Sequence, residues 1–229
     1  MSDPRTLGLT DYSGQELANQ FWRADQPAGW LAVVLPGQGY TSDMPLLFFT
    51  RRMLLWRGVD VLNLNPSTRS AAFQSSSEVD QLSWVKADVL TGVKAALGQG
   101  EYRGLILAGK SIGSLALAGA IEQAQTLLPT AVVWITPLLK WEVVLQAALA
   151  VRGPQVHLCG GADSTFEPAR LQQILTANPL SSAYVAQGAN HSLEVPGNDQ
   201  ATFHGFSEAM LFLGKFLDEV LAQSTGNPA

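Results

Sequence analysis

Gly109-Lys110-Ser111-Ile112-Gly113 stands between the apolar run Leu105-Ile106-Leu107-Ala108 and the helix-prone run Leu115-Ala116-Leu117-Ala118. A Gly-x-Ser-x-Gly in that setting requires a strand to turn sharply into a helix, with the serine on a strained corner that exposes its Oγ. The glycines on either side lack the Cβ atoms that would otherwise keep strand and helix apart. This corner constrains the fold more than any other segment, because it demands a buried strand before it and a helix packed back on that strand after it.

The rest of the chain fits such a corner. Short β-prone runs at 30–35, 59–64, 104–108, 131–136, 155–159 and 183–186 alternate with helical patterns, which predicts a mostly parallel α/β sheet covered by helices on both faces. Helices are expected at 44–56, with Asp43 as N-cap and Gly58 as stop, at 78–97 ending on Gly98, and from Ile112 onward. Further helices are expected at 140–151, at 168–175 with a proline in the first turn, and at 200–221. The first 25 residues are less regular. Segments 6–10 and 15–23, separated by Asp11-Tyr12-Ser13-Gly14, are expected to form an antiparallel hairpin at the sheet edge, and the Ser-rich 67–77 an exposed loop.

A chain of 229 residues with 47% hydrophobic and 14% charged residues can bury a sizeable core and is read as one domain over 1–229. Fourteen basic against nineteen acidic residues, a net charge of -5, argue against a nucleic-acid partner, since phosphate neutralisation needs clustered Lys and Arg. Lone Cys159, within Val156-His157-Leu158-Cys159, reads as a buried, inert thiol and fits a reducing compartment. The start Met1-Ser2-Asp3-Pro4-Arg5-Thr6 lacks the basic and apolar regions of a signal peptide, and the most hydrophobic segment, 105–121, is broken by Lys110, Ser111, Ser114 and glycines. No membrane span is expected, and the location is read as cytoplasmic.

Serine is a poor nucleophile at neutral pH and needs a base within hydrogen-bond reach and a carboxylate to orient that base. Asp163, in Gly160-Gly161-Ala162-Asp163-Ser164, follows one predicted strand, and His191, in Gly188-Ala189-Asn190-His191-Ser192, follows the next. Both therefore fall at the carboxyl edge of the sheet, where Ser111 also lies and where ligand sites of open α/β sheets gather. Each has a plainer reading: Asp163 as the cap of the helix near Pro168 or as a turn residue, His191 as an ordinary loop histidine. Glu194, close to His191 in sequence, would have to fold back to orient it and ranks below Asp163. His157 and His204 lack metal-site spacing and read as structural, and no cofactor or metal is implied. Lys110 could steer anionic substrates, with a solvated side chain as its default.

The order Ser111, Asp163, His191, with the elbow after a central strand, resembles the α/β-hydrolase superfamily along nearly the whole chain, most closely its small carboxylesterase-like and dienelactone-hydrolase-like members. The resemblance implies a catalytic triad of those three residues and an oxyanion hole of two backbone N–H groups. One is that of Ile112, at the start of the helix after the nucleophile. The second falls in Pro36-Gly37-Gln38-Gly39-Tyr40, on Gln38 with Gly39 in reserve, since Pro36 replaces the family's usual histidine. Only 137–153 is available where relatives insert a lid, so a lidless, open pocket is expected, with Trp134, Trp141, Phe166 and Leu193 as candidates to line it.

The implied activity is hydrolysis of small or medium esters or thioesters through an acyl-enzyme, with perhydrolysis possible on the same triad. Serine at the elbow departs from the Asp of dehalogenase-like and epoxide-hydrolase-like relatives and from the Cys of dienelactone hydrolases, so those specific activities do not carry over. The alternative is a non-catalytic binding or scaffolding protein on the same fold, against which the intact Ser, Asp and His count.

Overall fold

The computed structural model describes residues 3–66, 68 and 70–223. Seven strands form one sheet: β1 (Asn19–Trp22), β2 (Trp30–Leu35), β3 (Val59–Leu64), β4 (Gly104–Lys110), β5 (Thr130–Ile135), β6 (Gln155–Gly160) and β7 (Ser181–Ala186). Their spatial order is β1-β3-β2-β4-β5-β6-β7, with β1 antiparallel to β3 and all other neighbours parallel. This is the mostly parallel α/β sheet expected. The strand order reverses between β2 and β4, the place where open α/β sheets leave a crevice for ligands.

The strands were legible because a doubly covered sheet buries both sides of every central strand. Along β4, Leu105 and Leu107 pack under α3 (Glu78–Leu97), α4 (Ile112–Leu127), α5 (Glu142–Leu149) and α6 (Pro168–Ala177). Ile106 and Ala108 face α1 (Pro45–Trp56) and α7 (Asp199–Gln223) instead. Leu105, Ile106 and Leu107 are fully buried, each contributing roughly 1.5–3 kcal/mol by transfer from water. This burial anchors the strand whose last residue precedes the corner.

Several local expectations are corrected. Only 19–22 of the second hairpin arm joins the sheet; the second arm is met by isolated antiparallel bridges, from Arg5, just before the first arm, to Phe21 and from Thr10, at its end, to Glu16. Asn19 explains the irregularity, because its side chain bonds the Leu7 N–H and the Leu7 and Leu17 carbonyls in place of a regular ladder. Asp43 does not cap α1. Pro45 starts that helix one residue later on Met44, and Asp43 takes both Arg51 Nη atoms at 3.2 Å. The stretch 67–77 contains the short helix α2 (Ala71–Ser75), with the Ser70 hydroxyl accepting the Phe73 N–H; residues 67 and 69 lie outside the described residues, as do the first two of the chain. Among the described residues, no helix is long and apolar enough to cross a membrane.

His157 lies in the middle of β6, fully buried, stacked on Trp134 at 5.9 Å, with neither ring nitrogen hydrogen-bonded. Burial pushes its pKa down to about 3. The unfolded chain therefore binds a proton that the folded chain refuses, and stability must fall as pH drops from about 6.5 towards 3. His157→Phe, which keeps the stacked ring and removes both unsatisfied nitrogens, is expected to stabilise the fold by about 1–3 kcal/mol and to flatten that acid-side decline. Urea melts of both proteins at pH 7 and pH 4 check this.

Candidate active site

The corner has the geometry its sequence demands. Ser111 sits at φ 54, ψ -119, outside the regions that side chains ordinarily adopt, between β4 and α4. A Cβ on Gly113 would lie 2.6 Å from the Leu35 carbonyl oxygen, and one on Gly109 would lie 2.7 Å from that of Gly113, so both positions exclude every other residue. The turn is tied down on both sides. The Ser111 N–H donates to the Ile135 carbonyl at 3.1 Å, and the Ser114 hydroxyl donates to the Ser111 carbonyl at 2.6 Å while accepting the Leu138 N–H at 3.1 Å.

Asp163 and His191 meet. Asp163 Oδ2 lies 2.7 Å from His191 Nδ1, joining the loop after β6 to the loop after β7. The approach needs Gly160, where a Cβ would stand 2.3 Å from the Asn190 carbonyl oxygen, and two backbone bonds, Gly161 N–H to Ala186 O at 2.8 Å and Ala162 N–H to Ala189 O at 2.9 Å, lock the loops together. Asp163 does not cap α6, whose N-cap is Glu167. Its other oxygen accepts the Thr165 N–H at 2.8 Å and the Thr165 hydroxyl at 2.9 Å.

The Asp163 side chain is 2% exposed and that of His191 36%. Burial alone would raise the Asp163 pKa, but the bonds from His191 and from Thr165, with the charge of the imidazole, outweigh it and hold the carboxyl below its usual range. An ionised carboxylate only accepts hydrogen bonds, so Nδ1 carries the proton. In the neutral ring the lone pair is then left on Nε2, the nitrogen turned away from the acid. Ser111 Oγ is not hydrogen-bonded to the imidazole in this structure; such bonds often close only around a substrate. Glu194 contributes its carbonyl to the Asn190 N–H at 2.8 Å and does not bond His191.

The two expected donor positions lie at the same edge. Ile112 opens α4, where no preceding helical carbonyl takes its N–H. In the turn after β2, Gly37 and Tyr40 bond each other at 3.1 and 3.3 Å, which leaves the N–H groups of Gln38 and Gly39 outside the turn's own bonds. This turn is close to the nucleophile: a Cβ on Gly37 would be 3.2 Å from Ser111 Cβ. Beside it opens a cavity of about 220 Å³ lined by Pro36, Gly37, Thr41, Asn65, Pro66, Thr68 and Ser70.

That polar lining differs from the aromatic one expected. Trp134 is fully buried inside the sheet packing with its indole N–H on Gln155, and Leu193, 1% exposed, belongs to the core beneath α7. Trp141 projects into solvent, and Phe166 borders a separate hollow with Pro168 and Leu171. Lys110 is not solvated either; it is 1% exposed. Sequence reasoning also passed over Thr165, although an Asp followed two residues later by Thr is an Asx-turn pattern that could have revealed it.

No protein-family model matches the chain, and no curated protein is significantly similar to it. Solved structures are similar in fold. Est1E from Butyrivibrio proteoclasticus matches with a TM-score of 0.67 at 13% identity over 95% of this chain and 100% of its own. The Pyrococcus furiosus esterase Pf2001 matches at 0.68 and 16%, over 95% and 92%. Dienelactone hydrolase from Anabaena variabilis matches at 0.66 and 16%, over 95% and 99%. The chain thus has the α/β-hydrolase fold. Between β5 and β6, where a lid would be inserted, it carries only the eight-residue α5.

Cys159, 1% exposed on β6, has its thiol pushed up to about 12 by burial and by the nearby Asp163 charge. Native protein at pH 8 is therefore expected to resist a thiol reagent such as dithionitrobenzoate, and protein in denaturant to react fully; colorimetric titration of both states checks it.

Proposed function

We propose that this chain is a serine hydrolase acting on small or medium carboxylic esters or thioesters. Ser111 is the nucleophile, His191 the base, and Asp163 the carboxylate that orients it. The observation that carries the reading is the 2.7 Å Asp163–His191 bond, formed at the same sheet edge as a serine held at φ 54 on a strand-to-helix corner. A strained, half-buried serine and an oriented imidazole are costly to maintain, and acyl transfer uses both.

In the proposed reaction, Nε2 of His191 takes the Ser111 proton as Oγ attacks the carbonyl carbon, and the oxyanion is met by the N–H groups of Ile112 and Gln38. The α4 dipole favours negative charge at that point. The imidazolium, stabilised by Asp163, protonates the leaving alcohol or thiol. Water then attacks the acyl-enzyme by the same route, releasing the acid and restoring Ser111. The small cavity beside Gly37, with its hydroxyl and amide lining, supports a short acyl or alcohol group over a long alkyl chain. Est1E has been solved with ferulic acid, an aromatic carboxylic acid, which suits the same reaction class here.

A serine-directed fluorophosphonate should label the wild-type protein and leave Ser111→Ala unlabelled, while soluble short-chain esters are hydrolysed without activation by lipid droplets. Wild type left unlabelled would favour the binding or scaffolding alternative. Asp163→Asn should lower kcat roughly 10³- to 10⁴-fold by presenting the wrong histidine tautomer. Asn caps helices and turns as well as Asp does, so near-normal turnover in that variant would move the acid role elsewhere.

A further inference from the structure

The lysine beside the nucleophile has no route to a substrate. Lys110 ends β4, yet its side chain is buried, and its ammonium donates to the His191 carbonyl at 3.0 Å and to Thr136 Oγ1 at 3.1 Å. The same nitrogen lies 4.3 Å from the centroid of the Tyr40 ring. An ammonium has three donors. Two are bonded and the third side is covered by an aromatic face, so nothing is left to steer an anion.

Each partner belongs to a different loop of the site. Tyr40 closes the turn that carries Gln38, and its hydroxyl accepts the Leu46 N–H in the first turn of α1 at 3.0 Å. Thr136 follows β5 at φ 40, next to Ile135, whose carbonyl holds the Ser111 N–H. His191 is the proposed base itself, and the bond reaches its own backbone, so the anchor and the imidazole share one Cα. The charged groups acting on Lys110 are Asp163 from the loop after β6 and Glu194 from the loop after β7. Burial lowers its pKa to about 8 against their pull.

We propose that Lys110 is a positioning residue: its ammonium fixes the backbone of His191 against β4 and β5, and so sets where the imidazole stands between Asp163 and Ser111. The inference rests on the serine-hydrolase reading for its catalytic consequence, but the placement of His191 is measurable without turnover. A buried charge is expensive, and an apolar side chain of the same length would fill the space at lower cost. What Met cannot supply is a directed donor to the His191 carbonyl.

The test compares the full chain as wild type, Lys110→Met and Thr136→Val. Three readouts are used: the low-field proton resonance of the His191–Asp163 bond, the rate of fluorophosphonate labelling, and kcat and KM on p-nitrophenyl acetate. Lys110→Met is expected to lose or broaden the low-field resonance while keeping its far-UV circular dichroism. Its labelling and kcat should fall roughly 10- to 100-fold with KM within about twofold, as for a misplaced base. Thr136→Val, which keeps the side chain's shape and withdraws one acceptor, should shift the resonance and slow labelling to a smaller degree. An unchanged resonance in folded Lys110→Met overturns the proposal. If Lys110→Met does not fold, Thr136→Val with unaltered resonance and labelling overturns it instead. Wild type that shows the resonance but is never labelled would sink the hydrolase reading, and the resonance in the variants would still decide the role of Lys110.

Discussion

The chain reverses direction at Ser111 in less space than any residue with a side chain at 109 or 113 would allow, and the sheet is arranged around that reversal. The serine's backbone conformation costs of order 1–3 kcal/mol and persists only where the surroundings overdetermine it. Here they do. β4 is locked by fully buried neighbours on both faces, Ile135 holds the Ser111 N–H, and Ser114 clamps its carbonyl from one turn into α4. Gly113 then sits against the Leu35 carbonyl, so the corner also fixes the end of β2 and the turn that follows it.

Opposite charges buried close together give the edge its second level of order. Asp163 and Lys110 are both nearly inaccessible, and neither is paired with the other by a salt bridge. Each instead satisfies itself on one side of His191: the carboxylate on Nδ1, the ammonium on the backbone carbonyl. The histidine is held at two points by groups of opposite sign, and the ring remains the more exposed part. Such an arrangement restricts where the imidazole can stand.

The surroundings of the site bear on its reach. With only α5 between β5 and β6, no inserted helices fold over the edge at that position, and the cavity beside Gly37 is small and lined by hydroxyls, an amide and prolines. The aromatic residues expected to line the pocket go elsewhere: Trp141 projects into solvent, and Trp134 is spent wholly on packing. Its indole needs a buried acceptor, Gln155, and that pairing ties it to the sheet interior. The hydrogen-bonding lining and the open edge are the features on which the proposed preference for compact substrates rests.

The sequence by itself determined the central strands, because a strand buried on both faces is mostly apolar: 30–35 and 59–64 are the observed β2 and β3 without adjustment, although β3 also buries Asp60, whose carboxylate accepts the Ala24 N–H and the Tyr102 hydroxyl, and Asn63. It also determined the corner, since only glycine fits where a Cβ would meet backbone, and the order of Ser111, Asp163 and His191 after β4, β6 and β7. The tertiary structure alone decided which side chains complete the site. Lys110 looks solvated in sequence because a charge next to a turn usually is; it is buried because three loops distant in the chain supply its partners. Thr136 and Tyr40 carry no signal of their own for the same reason, whereas Thr165 is marked only by its place two residues after Asp163. Hydrophobic periodicity is a local property readable from neighbours, whereas hydrogen-bond satisfaction of a buried polar group depends on whichever residues the fold brings within about 3 Å, and no spacing along the chain records that.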